Sequence, residues 1–254
     1  MNKKCAVIIS LLLLTVLSLS LVGQVFAQTY APGVKSGDSF VYSISTQWNS
    51  SNSSATVPEY LVELNKTAWY NVTISLVSGA NVTATNIWEY VNGTTGNSFV
   101  ITEVENGTVY AYIEGLPAFL GFYPANQNVG DLVRPLTTDG PTINQTIMRN
   151  YAGVERETNV ISFSYPVIDY YNSTGDETLT VYIDKQTGIL VEQIAYTEFP
   201  DQNGTITWQL ADTNAWKFTT QPTSLLEIAL IIIVVAIIIV VIALYMKKRK
   251  RQKH

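Results

Sequence analysis

The 254-residue chain carries 15 Lys or Arg against 20 Asp or Glu, a formal net charge of −5, and its only cysteine and histidine are Cys5 and His254, near the two ends. Within 28–224 the imbalance is larger, seven Lys or Arg against nineteen Asp or Glu, a net −12. That acidity repels nucleic acid and anionic lipid. The absence of His and Cys removes disulfides, thiol chemistry and zinc sites from the same stretch.

Residues 1–27 predict a signal peptide. Lys3 and Lys4 give the positive start, residues 6–22 the apolar middle, and Val25-Phe26-Ala27 a small-x-small site before Gln28. The alternative is an uncleaved signal anchor, since the apolar run is long for a signal. Either leaves the following domain outside.

From Phe40 onward the pattern is β. Phe40, Tyr42, Ile44, Thr46 and Trp48 alternate with Val41, Ser43 and Ser45, a period of two rich in aromatic and branched residues. Val72, Ile74 and Leu76 repeat it, as do Val82, Ala84, Trp88 and Tyr90. The Ser/Asn run 49–55 reads as a loop. No segment of 28–218 sustains a helical period over three turns.

Asn106-Gly107, between apolar alternations, predicts a two-residue type I′ hairpin pairing Val104 with Val109. That puts Val100, Val104, Val109, Ala111 and Ile113 on one face. Asn92-Gly93 and Asn203-Gly204 suggest two more such turns. The loop Asp184-Lys185-Gln186-Thr187-Gly188 needs Gly188 in the left-handed position and places Leu179, Val181, Ile183, Leu190 and Ile194 on one face. Many short strands joined by such turns predict an all-β domain over 28–218: an antiparallel sandwich, an open barrel or a curved sheet.

Residues 115–124 break the alternation. Pro117 and Pro124 bar a central strand, and the stretch is apolar for an exposed loop. Two readings stand: a loop folded over the core, or the rim of an apolar pocket formed by Leu116, Phe119, Leu120, Phe122 and Tyr123. Two Gly-Asp segments, Lys35-Ser36-Gly37-Asp38 and Asn128-Val129-Gly130-Asp131, echo each other as turns without making a repeat.

After a linker at 219–224, residues 225–246 predict a membrane-spanning helix. Residues 228–246 hold no charge, and nineteen residues at 1.5 Å per residue match the roughly 30 Å hydrocarbon core. The basic tail 247–254 marks the cytoplasmic side. No intramembrane charge and no Gly-x-x-x-Gly suggests a proton path or a close helix dimer.

Three strings carry a resemblance: Gly33-Val34-Lys35-x-Gly37-Asp38-x-Phe40-x-Tyr42, Ile143-Asn144-x-Thr146-Ile147-x-Arg149-x-Tyr151-Ala152-Gly153, and Tyr182-Ile183-Asp184-x-x-Thr187-Gly188-Ile189-Leu190-Val191. They resemble recurrent segments of uncharacterised archaeal secreted or membrane-anchored β-rich surface proteins, which carry no activity to transfer. The last string is also similar to a hairpin of curved-sheet lipoprotein carriers, though the helices that fill their concave face are not evident.

Chemistry is sparse. Gly37-Asp38-Ser39-Phe40 resembles an esterase nucleophile block, yet the only histidine base is His254, beyond the span. Asp169, Asn172, Asp176 and Glu177 do not match a twelve-residue calcium loop. Paired carboxylates for hydrolysis remain open because their pairing is spatial. No cofactor is implied. The motif above background is Asn-x-Ser/Thr, present at Asn49, Asn52, Asn65, Asn71, Asn81, Asn92, Asn106, Asn144, Asn172 and Asn203. Chance predicts about three such sites.

These residues predict a non-enzymatic, N-glycosylated cell-surface protein held in the plasma membrane by one helix, domain outside and C-terminus in the cytoplasm. Its role is structural or an interaction with an envelope or membrane protein. The alternatives are a ligand-binding receptor or carrier using the 115–124 region, and a carboxylate-dependent surface hydrolase.

Overall fold

The computed structural model describes residues 30–113, 116, 119–168 and 173–216. The expected signal peptide 1–27, linker 219–224, spanning helix 225–246 and tail 247–254 lie outside the described residues. Among those described, no helix is long and apolar enough to cross a membrane. The chain divides into two units, 1–215 and 216–254, and among the described residues every strand belongs to the first.

The described part of that unit is all-β with one short helix. The strands are β1 (Ser39–Ser50), β2 (Thr67–Ser78), β3 (Asn81–Tyr90), β4 (Thr95–Glu103), β5 (Val109–Ile113), β6 (Gln145–Tyr151), β7 (Val154–Ile168), β8 (Thr174–Asp184), β9 (Leu190–Phe199) and β10 (Gln202–Thr213), with α1 (Glu59–Asn65) before β2. All ten form one antiparallel sheet in the order β5-β4-β3-β2-β1-β10-β9-β8-β7-β6. Two five-stranded meanders are thus joined where the first strand pairs with the last.

One face of the sheet is apolar, as the period of two in β1 requires. Phe40, Tyr42 and Ile44 are buried, and their register partners carry the same face outward through Tyr70, Ala84 and Val100 on one side and Leu210, Ala195 and Val181 on the other. The rings interlock. Tyr70 stacks on Trp88 with centroids 5.7 Å apart, and Trp208 meets Tyr70 edge-on at 5.0 Å. Gly96, opposite Trp88, makes room for that indole: a Cβ there would lie 2.3 Å from its ring.

Residues 119–144 cross this face and touch strands far apart in the order. Phe119 lies 4.9 Å from Tyr42, Phe122 bridges Ile189, and the Arg134 guanidinium donates to the Val104 carbonyl. The alternation of the strands therefore builds one antiparallel sheet with the crossing segment over its apolar face.

Turn chemistry corrects several registers. The Asn106-Gly107 hairpin is not type I′. Gly107 has φ +77° while Asn106 is not left-handed, the Gly107 amide donates to the Glu103 carbonyl, and Val109 pairs with Thr102 instead of Val104. The slip is two residues, so the faces keep their phase and Val104 stays buried. Asn92 likewise lies outside the left-handed region, and Gly93, at φ +82°, closes that turn. Asn203-Gly204 makes no turn. The loop is Pro200-Asp201, and Asn203 stands in β10 opposite Asn49.

The 184–188 loop holds as expected, with Gly188 at φ +71°. A register shift between Tyr182 and Ile183 follows it, so Ile194 pairs with Thr180 and leaves the face of Leu179, Val181 and Ile183. A second shift, between Ile74 and Leu76, turns Leu76 out to solvent. The two Gly-Asp segments adopt one turn: Gly37 and Gly130 have φ +91° and +90°, and Asp38 and Asp131 each accept through Oδ2 from the amide three residues back.

Helix α1 was not legible as a period because it spans two turns only. Its apolar pair Leu61 and Leu64 is buried, and the Leu61 carbonyl accepts from Thr46 Oγ1. Pro166 is tolerated within β7 because β6 pairs only with Val154–Val160. The Asn144 amide donates to the Val160 carbonyl, and the Ser162 amide donates to Asn144 Oδ1, so residues 160 and 162 face the β6 side. By alternation position 166 faces the same way, where no strand needs its N–H.

Candidate functional site

The sequon asparagines concentrate at one end of the sheet. β1 and β10 run antiparallel over about 35 to 40 Å at roughly 3.4 Å per residue. The chain leaves the unit beside the start of β1, where the Asn214 side-chain amide donates to the Gly37 carbonyl and Ser39 N donates to Asn214 Oδ1. At the opposite end stand Asn49 and Asn203, a cross-strand pair whose side-chain amides meet at 3.4 Å. Asn52 follows β1 in the connecting loop, Asn65 ends α1, and Asn92 sits in the β3–β4 turn, which reaches α1 through the Val91 amide on the Lys66 carbonyl.

The remaining candidates are dispersed. Asn71 lies mid-strand in β2 and accepts from the Ser39 hydroxyl at 2.7 Å, so the residue of the esterase-like block is spent on a strand-to-strand bond. Asn81 and Asn106 flank the turns at the exit end. Asn144 accepts from the Ser162 amide at 2.6 Å. Asn172 is outside the described residues. None of the nine described is buried, although Asn86 and Asn159, which belong to no sequon, are.

The five residues named as a pocket rim do different things. Leu116, Phe119 and Phe122 are buried, with Phe119 and Phe122 in edge contact at 5.2 Å. Leu120 is 51% exposed. Tyr123 lies under the Arg134 guanidinium, 4.3 Å from the ring centroid. Burial raises the Tyr123 phenol pKa, opposed by the Arg134 charge, and lowers that of Arg134. Gly121 is required here, since a Cβ would come within 2.4 Å of the Leu190 side chain.

A second aromatic group escaped the sequence reading. Phe163 and Tyr165 on β7 lie near-parallel at 5.9 Å, each 37% exposed, on the same face as Leu179. The Tyr165 hydroxyl donates to Glu177, which pushes its pKa up to about 12, and Thr197 donates to the other Glu177 oxygen at 3.2 Å. Alternation along β7 was the available signal, but exposure of the rings depends on how little of the crossing segment covers them.

Among the described residues the two buried carboxylates are committed to structure. Asp184 holds Arg156 at 2.7 Å, and Glu192 holds Arg149 at 2.9 Å and accepts from Tyr151 at 2.8 Å. Among the described residues no group of three or more His, Cys, Asp or Glu could hold a metal ion. Of the four calcium candidates, Asp169 and Asn172 lie outside the described residues, and Asp176 and Glu177 are adjacent on β8, so they point to opposite faces.

No family model matches the chain, and neither a curated protein nor a solved structure matches it.

Proposed function

We propose that the chain is a single-pass, membrane-anchored surface protein whose N-glycosylated β domain has a structural or interaction role and no catalytic one. The observation that carries this reading is the exposure of the sequons. Ten stand where chance predicts about three, and every described sequon asparagine avoids the core. Five of them gather at the end of the sheet opposite the chain's exit at Asn214. The acidity of 28–224 adds a solubilising charge to the same surface. The anchor rests on the uncharged run 228–246 and the basic residues that follow it.

Membrane fractionation with intact-mass measurement tests this. The protein is expected in the membrane fraction with a mass above that of the polypeptide. A soluble protein of bare polypeptide mass would end the reading.

A further inference from the structure

Resting on the glycosylated reading, we infer that folding sorts the sequons: Asn52 and Asn92 stay open to modification on the folded domain, whereas Asn65 is closed by it. A transferase must engage the asparagine amide and the hydroxyl two residues on, so both have to be reachable. At Asn92 they are. Asn92 and Thr94 are exposed in the β3–β4 turn, and the Thr94 amide and hydroxyl both donate to Asn92 Oδ1, at 3.0 and 2.7 Å. That bonding uses the carbonyl oxygen and leaves the nitrogen that carries the sugar facing water. Asn52 repeats the arrangement, with the Ser54 amide on its Oδ1 at 3.0 Å and both residues exposed.

Asn65 looks equally open by its own side chain, which is exposed at the end of α1. Its acceptor partner is not. Thr67 is 7% exposed, and its Oγ1 is enclosed without a hydrogen-bond partner. Thr67 opens β2 and pairs with Tyr90 on β3, so the hydroxyl is sealed once the β2–β3 hairpin forms. That hairpin is local in sequence and closes early in a chain made from its N-terminus. The interval in which Asn65 can be modified is therefore short. A surface count would treat Asn65 and Asn92 alike, and the buried threonine separates them.

The test is site-resolved glycopeptide mass spectrometry on the full-length protein from its own membranes. Occupancy at Asn52 and Asn92 is expected to exceed that at Asn65 by at least about tenfold, the effect of a local opening that costs ~1.4 kcal/mol or more. Gly79→Val slows the hairpin, because Gly79 holds φ +58° in its turn with nothing within 4 Å of a new Cβ. This variant should raise Asn65 occupancy and leave Asn92 unchanged. Peptides covering 62–70 and 89–97, offered to detergent-solubilised transferase from the same membranes, should be modified at similar rates. Equal occupancy at Asn65 and Asn92, no response to Gly79→Val, or an intrinsically poor 62–70 peptide would each overturn the inference. Absence of sugar at all ten sites would instead sink the glycosylated reading beneath it.

Discussion

Arg156 grips Asp184 with two bonds, Nε to Oδ2 at 2.7 Å and Nη2 to Oδ1 at 3.0 Å, and the Asp184 side chain is fully buried. The same carboxylate accepts from the Thr187 amide and hydroxyl, at 2.8 and 2.7 Å. One aspartate thereby fixes the β8–β9 loop and its contact with β7. Replacing Asp184 by Asn removes the buried negative charge that these bonds to Arg156 and Thr187 share. The expected cost is about 3–5 kcal/mol, read as a lower denaturant midpoint at unchanged slope. A loss below about 1 kcal/mol would show the pair to be solvated.

Gly188 and Gly79 separate two reasons for a glycine. Both have positive φ, but a Cβ at Gly188 would lie 2.0 Å from the Tyr123 carbonyl oxygen, while Gly79 has open space around it. Gly79→Ala should cost about 1–2 kcal/mol, the strain of the left-handed region alone. Gly188→Ala should cost clearly more, since the crossing segment must also move. Equal melting of the two variants would remove the close approach from the explanation.

The alternation of Phe40, Tyr42 and Ile44 and the 184–188 loop were legible because each is decided by neighbours in sequence. The misread registers have a different origin. Asn-Gly is compatible with type I′ turns, yet Asn106 spends its side chain on Glu103 and the Thr108 amide, which favours a longer loop closed by Gly107 alone. The bulge before Ile183 and that after Ile74 depend on partner strands, and no local pattern announces them. Clustering of Asn49, Asn52, Asn65, Asn92 and Asn203 at one end required the β1–β10 pairing, which joins residues about 160 apart in sequence.

Phe119 distinguishes core from pocket rim. Its ring is buried against Tyr42 and Phe122. As part of the packed core it should cost about 3–5 kcal/mol when changed to Ala. A Phe119→Ala protein as stable as the parent would favour a ring kept for binding.

Alkaline pH should unfold the domain through its buried tyrosines. Burial, partly offset by hydrogen bonds with Ser98 and the Phe119 backbone, raises Tyr70 to about 12, and burial also raises Tyr42. An unfolded tyrosine titrates near 10, so the neutral phenol stabilises the folded state below that pH. The contribution, about 2–3 kcal/mol for Tyr70, is lost as pH rises from about 10 to about 12. Phenolate absorbance should therefore rise in two phases, exposed tyrosines first and the buried ones together with unfolding. One smooth titration near pH 10 with the fold intact would contradict this.

Protease shaving of intact cells, with one antibody against the β domain and one against the basic tail, bears most directly on the surface-anchored reading. Digestion should remove the 28–224 signal and spare the 247–254 signal. A domain that is protected in intact cells, with the tail cleaved, would reverse the topology and contradict a glycosylated outer domain.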